Sequence, residues 1–93
     1  MILGFGDRRT ERLYDGERIK GFPPGLLKVA WRKLDMLNRA HMLEDLRIPP
    51  ANRLEALRGD LRGFHSIRVN DRWRLVFQWR DGNAEAVRLV DYH

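Results

Sequence analysis

At 93 residues, with no cysteine and a formal net charge of +5, the chain has room for one modest core over residues 1–93 and for no disulfide framework or thiolate metal site. Its basic balance makes a polyanion the first partner to consider. Arginine far outnumbers lysine, which favours planar contacts with phosphates and bases, although a GC-rich genome would enrich arginine by itself. No apolar run approaches the roughly 20 residues of a membrane-spanning helix, residues 1–3 are too short for a signal peptide, and His41, His65 and His93 make no zinc spacing. The expectation is a cytoplasmic protein without metal, cofactor or membrane contact.

Residues 2–5 (Ile-Leu-Gly-Phe) read as a short strand, ended by Gly6-Asp7. Asp7 or Thr10 can cap a first helix running to about Lys20, weakened by Gly16. The run Gly21-Phe22-Pro23-Pro24-Gly25 breaks it, since prolines suit a helix entrance and not its interior. A second helix follows. Leu27, Ala30, Trp31, Leu34 and Leu37 or Asn38 recur at three and four, against Lys28, Arg32, Lys33, Asp35 and Arg39 on the other side. Residues 43–46 read as one helical turn, and residues 48–52 as an extended connector, because a residue before proline avoids the helical region.

The rest of the chain reads as a sheet. Trp73, Leu75, Phe77 and Trp79 alternate with Arg72, Arg74, Val76 and Gln78, the period of a strand with one face on a core. Asn70-Asp71 separates this strand from residues 63–69, and Asp81-Gly82 separates it from residues 84–91, so the three form a meander. Two helices followed by three or four strands give an α+β fold of two layers, helices on one face of a mostly antiparallel sheet. Leu27, Trp31, Leu34, Trp73, Leu75 and Phe77 are the expected core.

Function is sought in the charged part of this sheet. Arg58, Arg62, Arg68, Arg72, Arg74 and Arg80 stand against only Asp60 and Asp71 in that stretch, and the chain closes on Asp91-Tyr92-His93. If Asp81-Gly82 is a two-residue turn, Trp79 faces Ala84 and Arg72 faces Asp91, with Arg74 diagonal to it and His93 on the same side. A bulge would invert the faces. Arg53, Arg62, Arg68 and Arg80 suit an RNA backbone or a solvated basic surface. The plain structural account is an Asp91 that pairs with Arg72 or Arg74, a packing Tyr92 and a frayed His93. His65 reads as a strand residue near the site or the core, His41 as a solvated loop residue, and Trp73 and Trp79 as core anchors.

Three segments together resemble a known family: Asn52-Arg53-Leu54-Glu55-Ala56-Leu57-Arg58-Gly59-Asp60, then Gly63-Phe64-His65-Ser66-Ile67-Arg68-Val69-Asn70-Asp71-Arg72-Trp73-Arg74, and Val90-Asp91-Tyr92-His93. They are similar to the HigB toxins of bacterial type II toxin–antitoxin pairs, within the RelE/ParE superfamily. The resemblance implies a RelE-like two-layer fold with two N-terminal helices on a four- to five-stranded sheet. It also implies a ribosome-dependent mRNA endoribonuclease that inhibits translation without a metal, using the ribose 2′-hydroxyl. A helix-turn-helix antitoxin of the HigA type would neutralise it and link it indirectly to operator DNA. On matched positions the resemblance assigns Asp91, Tyr92, His93 and Arg74 to catalysis and Arg58 to phosphate, with Arg53, Arg62 and Arg72 as further RNA contacts. Glu55 is a departure: some relatives carry a histidine there as candidate base, and a glutamate can also accept a proton. Two other readings share the scaffold, a ParE-like DNA gyrase inhibitor and a basic RNA-binding module with weak catalysis.

Overall fold

The strand residues sort by parity into two faces, and this sorting builds the molecule. In the computed structural model, which describes residues 1–91, four antiparallel strands run β1 (Glu55–Ala56), β2 (Phe64–Arg68), β3 (Trp73–Arg80) and β4 (Asn83–Asp91), in that spatial order. The expected positions Tyr92 and His93 lie outside the described residues. Ile67, Leu75, Phe77, Ala84, Val87 and Leu89 face the helices and are buried with them in one apolar cluster, with Trp73 and Trp79 packed at its border. The meander therefore forms as the alternation requires, and β1 is the fourth strand.

Helix α1 (Arg8–Tyr14) is shorter than expected. Asp7 caps it by accepting a hydrogen bond from the Thr10 amide at 2.7 Å. Gly16, with φ +91°, then turns the backbone into the left-handed region, so the helix cannot continue to Lys20. Helix α2 (Pro24–Arg39) starts on the proline pair as expected. Its buried stripe is Leu26, Ala30, Leu34 and Leu37, with Leu27 only half-buried. The stripe is thus rotated from the expected one, and Trp31 leaves the core with 41% of its surface exposed. Trp31 instead ties the helices together: its ring lies 5.8 Å from that of Tyr14, and its Nε1 donates to the Tyr14 carbonyl at 3.1 Å. Among the described residues, no helix is long and apolar enough to cross a membrane.

The strand pairing contains one irregularity that matters for the site. Trp79 pairs with Ala84 as expected, but between Val76/Arg88 and Gln78/Glu85 two steps on β3 are matched by three on β4. The extra residue sits beside Ala86, whose φ is +52°. Without it, Ala86 and Arg88 would face the core and Val87 and Leu89 would face out. A left-handed alanine costs about 1–2 kcal/mol, whereas burying a valine and a leucine gains about 1.5–3 kcal/mol each, so the bulge wins. Residues 1–6 cover the outer edge of β4, with Leu3 donating to the Ala84 carbonyl and Gly6 to the Val87 carbonyl, both at 2.8 Å. A side chain at position 6 would collide with Arg88 and with the Ala86 carbonyl, so only glycine lets this segment sit against the bulge. The expected first strand is therefore two isolated parallel bridges, Ile2 to Ala84 and Phe5 to Val87.

The connector after α2 is more structured than an extended linker. A 3-10 turn, Leu43–Arg47, is followed by another, Pro50–Asn52. Asn52 is fully buried, and its side-chain amide donates to the Leu46 carbonyl at 3.1 Å and accepts from the Lys33 ammonium at 2.6 Å. One buried amide thereby holds the connector against α2, immediately before the residues of the site.

Candidate active site

The sheet face turned away from the helices carries Glu55, Ser66, Val76 and Arg88 in one cross-strand row and Arg68, Arg74 and Val90 in the next. Strand alternation alone puts Ser66, Arg68 and Arg74 there, opposite in parity to Ile67 and Leu75. At the β1 end of this face Arg53, Arg68, Asn70, Asp71 and Arg74 line a cleft of about 240 Å³. Its floor is Arg74, which is only 8% exposed. The Arg74 Nε donates to the Ser66 hydroxyl at 2.9 Å, and one terminal nitrogen donates to the Arg53 carbonyl at 2.7 Å. The same nitrogen lies 4.0 Å from the half-exposed Glu55 carboxylate.

Arg68 pairs directly across the strands with Arg74. Like charges facing each other in a sheet are unfavourable, and this juxtaposition is tempered by the ion pair of Arg68 with Asp71. Lys33 adds a further cation behind the cleft. Burial first, and the neighbouring Arg68 second, hold its ammonium below the ordinary lysine range. A site that gathers cations against their mutual repulsion is favourable for a bound anion, and planar guanidinium groups match a phosphate best.

The sequence-derived site residues do not all converge. Arg53, Arg74 and Glu55 come together at the cleft. Arg58 and Arg62 flank the 3-10 turn Gly59–Leu61 between β1 and β2, both exposed and outside the lining of the cleft. Arg72 was expected directly opposite Asp91, with Arg74 on the same face. The bulge changes this: Asp91 pairs with Trp73, and Val90 pairs with Arg74. By alternation, Asp91 then has the opposite parity to Arg74. The Arg72 guanidinium still reaches the Asp91 carboxylate, at 2.6 Å, as a diagonal neighbour at the strand end. His65 faces the core side and stacks on Phe77 with ring centroids 6.2 Å apart. Burial lowers its pKa, and its Nδ1 has no hydrogen-bond partner among the described residues, the environment of a neutral core histidine.

The sequence reading gave Ser66, Asn70 and Asp71 no site role, although the family segment contains them, and gave Arg68 only a general surface role. Parity was the available signal for Ser66 and Arg68. Nothing local marks Asn52 or Lys33, whose contact joins residues 19 positions apart.

Comparison with known proteins shows the family. The family model described as RelE-like toxin of type II toxin–antitoxin system HigB matches residues 3–93. Toxin HigB-1 of Vibrio cholerae serotype O1 is 47% identical over 85 residues, covering 90% of each chain. Endoribonuclease HigB of Proteus vulgaris is 42% identical over 93 residues, covering both chains completely. Among solved structures, a YoeB–YefM complex from Staphylococcus aureus superposes with a TM-score of 0.62 at 18% identity, over 100% of this chain and 98% of that one, a likeness of fold. The chain belongs to the HigB-like family of RelE-like toxins from type II toxin–antitoxin systems.

Proposed function

We propose that this protein is a ribosome-dependent mRNA endoribonuclease that arrests translation and is held inactive by a helix-turn-helix antitoxin of the HigA type. The observation that carries the reading is the cleft in which Arg53, Arg68 and Arg74 converge, with the Glu55 carboxylate beside Arg74. Membership in a family of toxins, and the endoribonuclease name of the Proteus vulgaris relative, support the same activity.

The chemistry follows from these groups. The ribose 2′-oxygen attacks the adjacent phosphorus, a 2′-O–P bond forms, and the bond to the 5′-oxygen of the next nucleotide breaks. Arg74 and Arg68 hold the phosphate oxygens, where negative charge builds in the transition state. A base must take the 2′-hydroxyl proton, and an acid must protonate the leaving 5′-oxygen. Glu55, Tyr92 and His93 are the groups we assign to these transfers, Glu55 replacing the histidine of some relatives, and Asp91, which pairs with Arg72 and is opposite in parity to Arg74, has the positioning part of that role. A histidine at the end of the chain suits either role, since imidazole titrates near neutral pH. Arg53, Arg58, Arg62 and Arg72 hold the surrounding RNA backbone. Operator DNA is reached only through the antitoxin.

The test is a pair of purified reactions. Addition of the protein to a reconstituted translation system should stop synthesis and leave cut message, and a stoichiometric HigA-type antitoxin should relieve it. Inhibition of gyrase supercoiling with translation intact would instead establish the ParE-like activity and overturn the proposal.

A further inference from the structure

The contacts that hold Arg74 extend well beyond the cleft, and they have a direction. Its Nε rests on the Ser66 hydroxyl at 2.9 Å, and Ser66 is itself fully buried on β2. Its second contact is the carbonyl of Arg53 at 2.7 Å, and Arg53 has the left-handed backbone φ 45°, ψ 58°. That conformation is unfavourable for a residue with a side chain and persists only where its surroundings impose it. The adjacent Asn52 is held at both ends of its side-chain amide. Its amide oxygen accepts from Lys33, and its amide nitrogen donates to the carbonyls of Leu46 and Ile48 at 3.1 and 3.5 Å. Because an ammonium can only donate, the Lys33 contact fixes which end of the Asn52 amide carries oxygen.

We propose that Ser66 and the Lys33–Asn52 pair are positioning residues that aim the Arg74 guanidinium, Ser66 directly and Lys33 through the Arg53 carbonyl. Both groups that contact Arg74 in this way, a hydroxyl and a peptide carbonyl, are neutral. They orient the guanidinium through hydrogen bonds alone, while the half-exposed Glu55 carboxylate lies farther off, at 4.0 Å. Helix α2 thus contributes to the site through a side chain that touches no substrate. The proposal rests on the reading that Arg74 grips the scissile phosphate.

A double-mutant cycle tests it, with single-turnover cleavage of ribosome-bound message as the readout and sedimentation and thermal melting as controls. Ser66→Ala and Lys33→Met should each slow cleavage by roughly 10- to 100-fold, the scale of an ångström-sized misplacement, at unchanged ribosome affinity. Lys33→Gln, which can still donate to Asn52, should recover much of the rate. In an Arg74→Ala background neither Ser66→Ala nor Lys33→Met should cause further loss. Full cleavage by both folded single variants, or losses that multiply with Arg74→Ala, would overturn the positioning role while leaving the site intact. Full cleavage by Arg74→Ala alone would overturn the reading beneath it. If Lys33→Met does not fold, Ser66→Ala decides the question by itself.

Discussion

Leu34→Ala tests the contact between the two layers. Leu34 lies in the middle of α2, is fully buried, and belongs to the apolar cluster that includes Leu75, Phe77 and Val87. The substitution removes three buried carbons. At about 0.8 kcal/mol for each, the transfer loss is roughly 2.4 kcal/mol, and the hole that a packed core cannot fully close raises the total to about 3–5 kcal/mol. A domain of this size has an overall stability of roughly 5–14 kcal/mol, so the variant should be severely weakened and melt at least 10 °C lower. Urea titration is the assay, with an unchanged slope showing that the same surface is exposed on unfolding. Trp31→Ala is the contrasting variant. Although it removes more atoms, its ring is partly solvated and packs on Tyr14 at the helix border, so its cost should be smaller, about 1–2 kcal/mol. A Leu34→Ala loss below 1 kcal/mol, or a larger loss for Trp31→Ala, would refute the packing described.

Three further outcomes are expected. Ribosome association should weaken steeply as salt rises, and Arg53→Ala or Arg62→Ala should lower both affinity and salt slope without unfolding; sedimentation indifferent to salt would remove the basic surface as the docking surface. Burial holds the His65 pKa below its ordinary value of about 6.5, so as pH falls through that value the unfolded chain takes up the proton first and stability declines until the folded imidazole also titrates. Urea midpoints at pH 7.5 and 5.5 should therefore differ less in His65→Gln than in the parent, and an identical difference would contradict the assignment. Deletion of Tyr92-His93 should slow cleavage by about 100-fold or more with melting nearly unchanged, as loss of acid–base groups does, and a full rate would mark those residues as dispensable.

Much of the fold was legible because strand alternation and helix spacing are local signals. The meander, the proline entrance of α2 and the α+β layering follow from them. Where the sequence reading went astray, two local signals competed. Leu26 and Leu27 both fit a three-four repeat, and counting the large Trp31 as core drew the stripe to the wrong side. Its Nε1 needs a hydrogen-bond partner, which the Tyr14 carbonyl supplies at the helix border. The bulge was raised only as an alternative to the regular register, although its place was written in β4. Ala84 differs in parity from Val87 and Leu89, so all three can face one core only if an extra residue intervenes. That single residue decides whether Asp91 shares a face with Arg74. The arginine cleft was half legible: Arg74 and Glu55 stood out by motif, Arg68 had only a general surface role although its parity with Arg74 was there to be read, and the buried Asn52 between Lys33 and the cleft depends on tertiary packing that no short window records.

The central claim is ribosome-dependent cleavage through the 2′-hydroxyl with Arg74 at the phosphate. Single-turnover cleavage of a defined message, with and without programmed ribosomes, tests it most directly. The account predicts cutting only on the ribosome, a 2′,3′-cyclic or derived 3′-phosphate end with a 5′-hydroxyl partner, no cutting when the attacking ribose is 2′-deoxy, and a rate at least about 100-fold lower for Arg74→Ala at unchanged ribosome affinity. Equal cleavage of the 2′-deoxy message, or a full rate from Arg74→Ala, would contradict it.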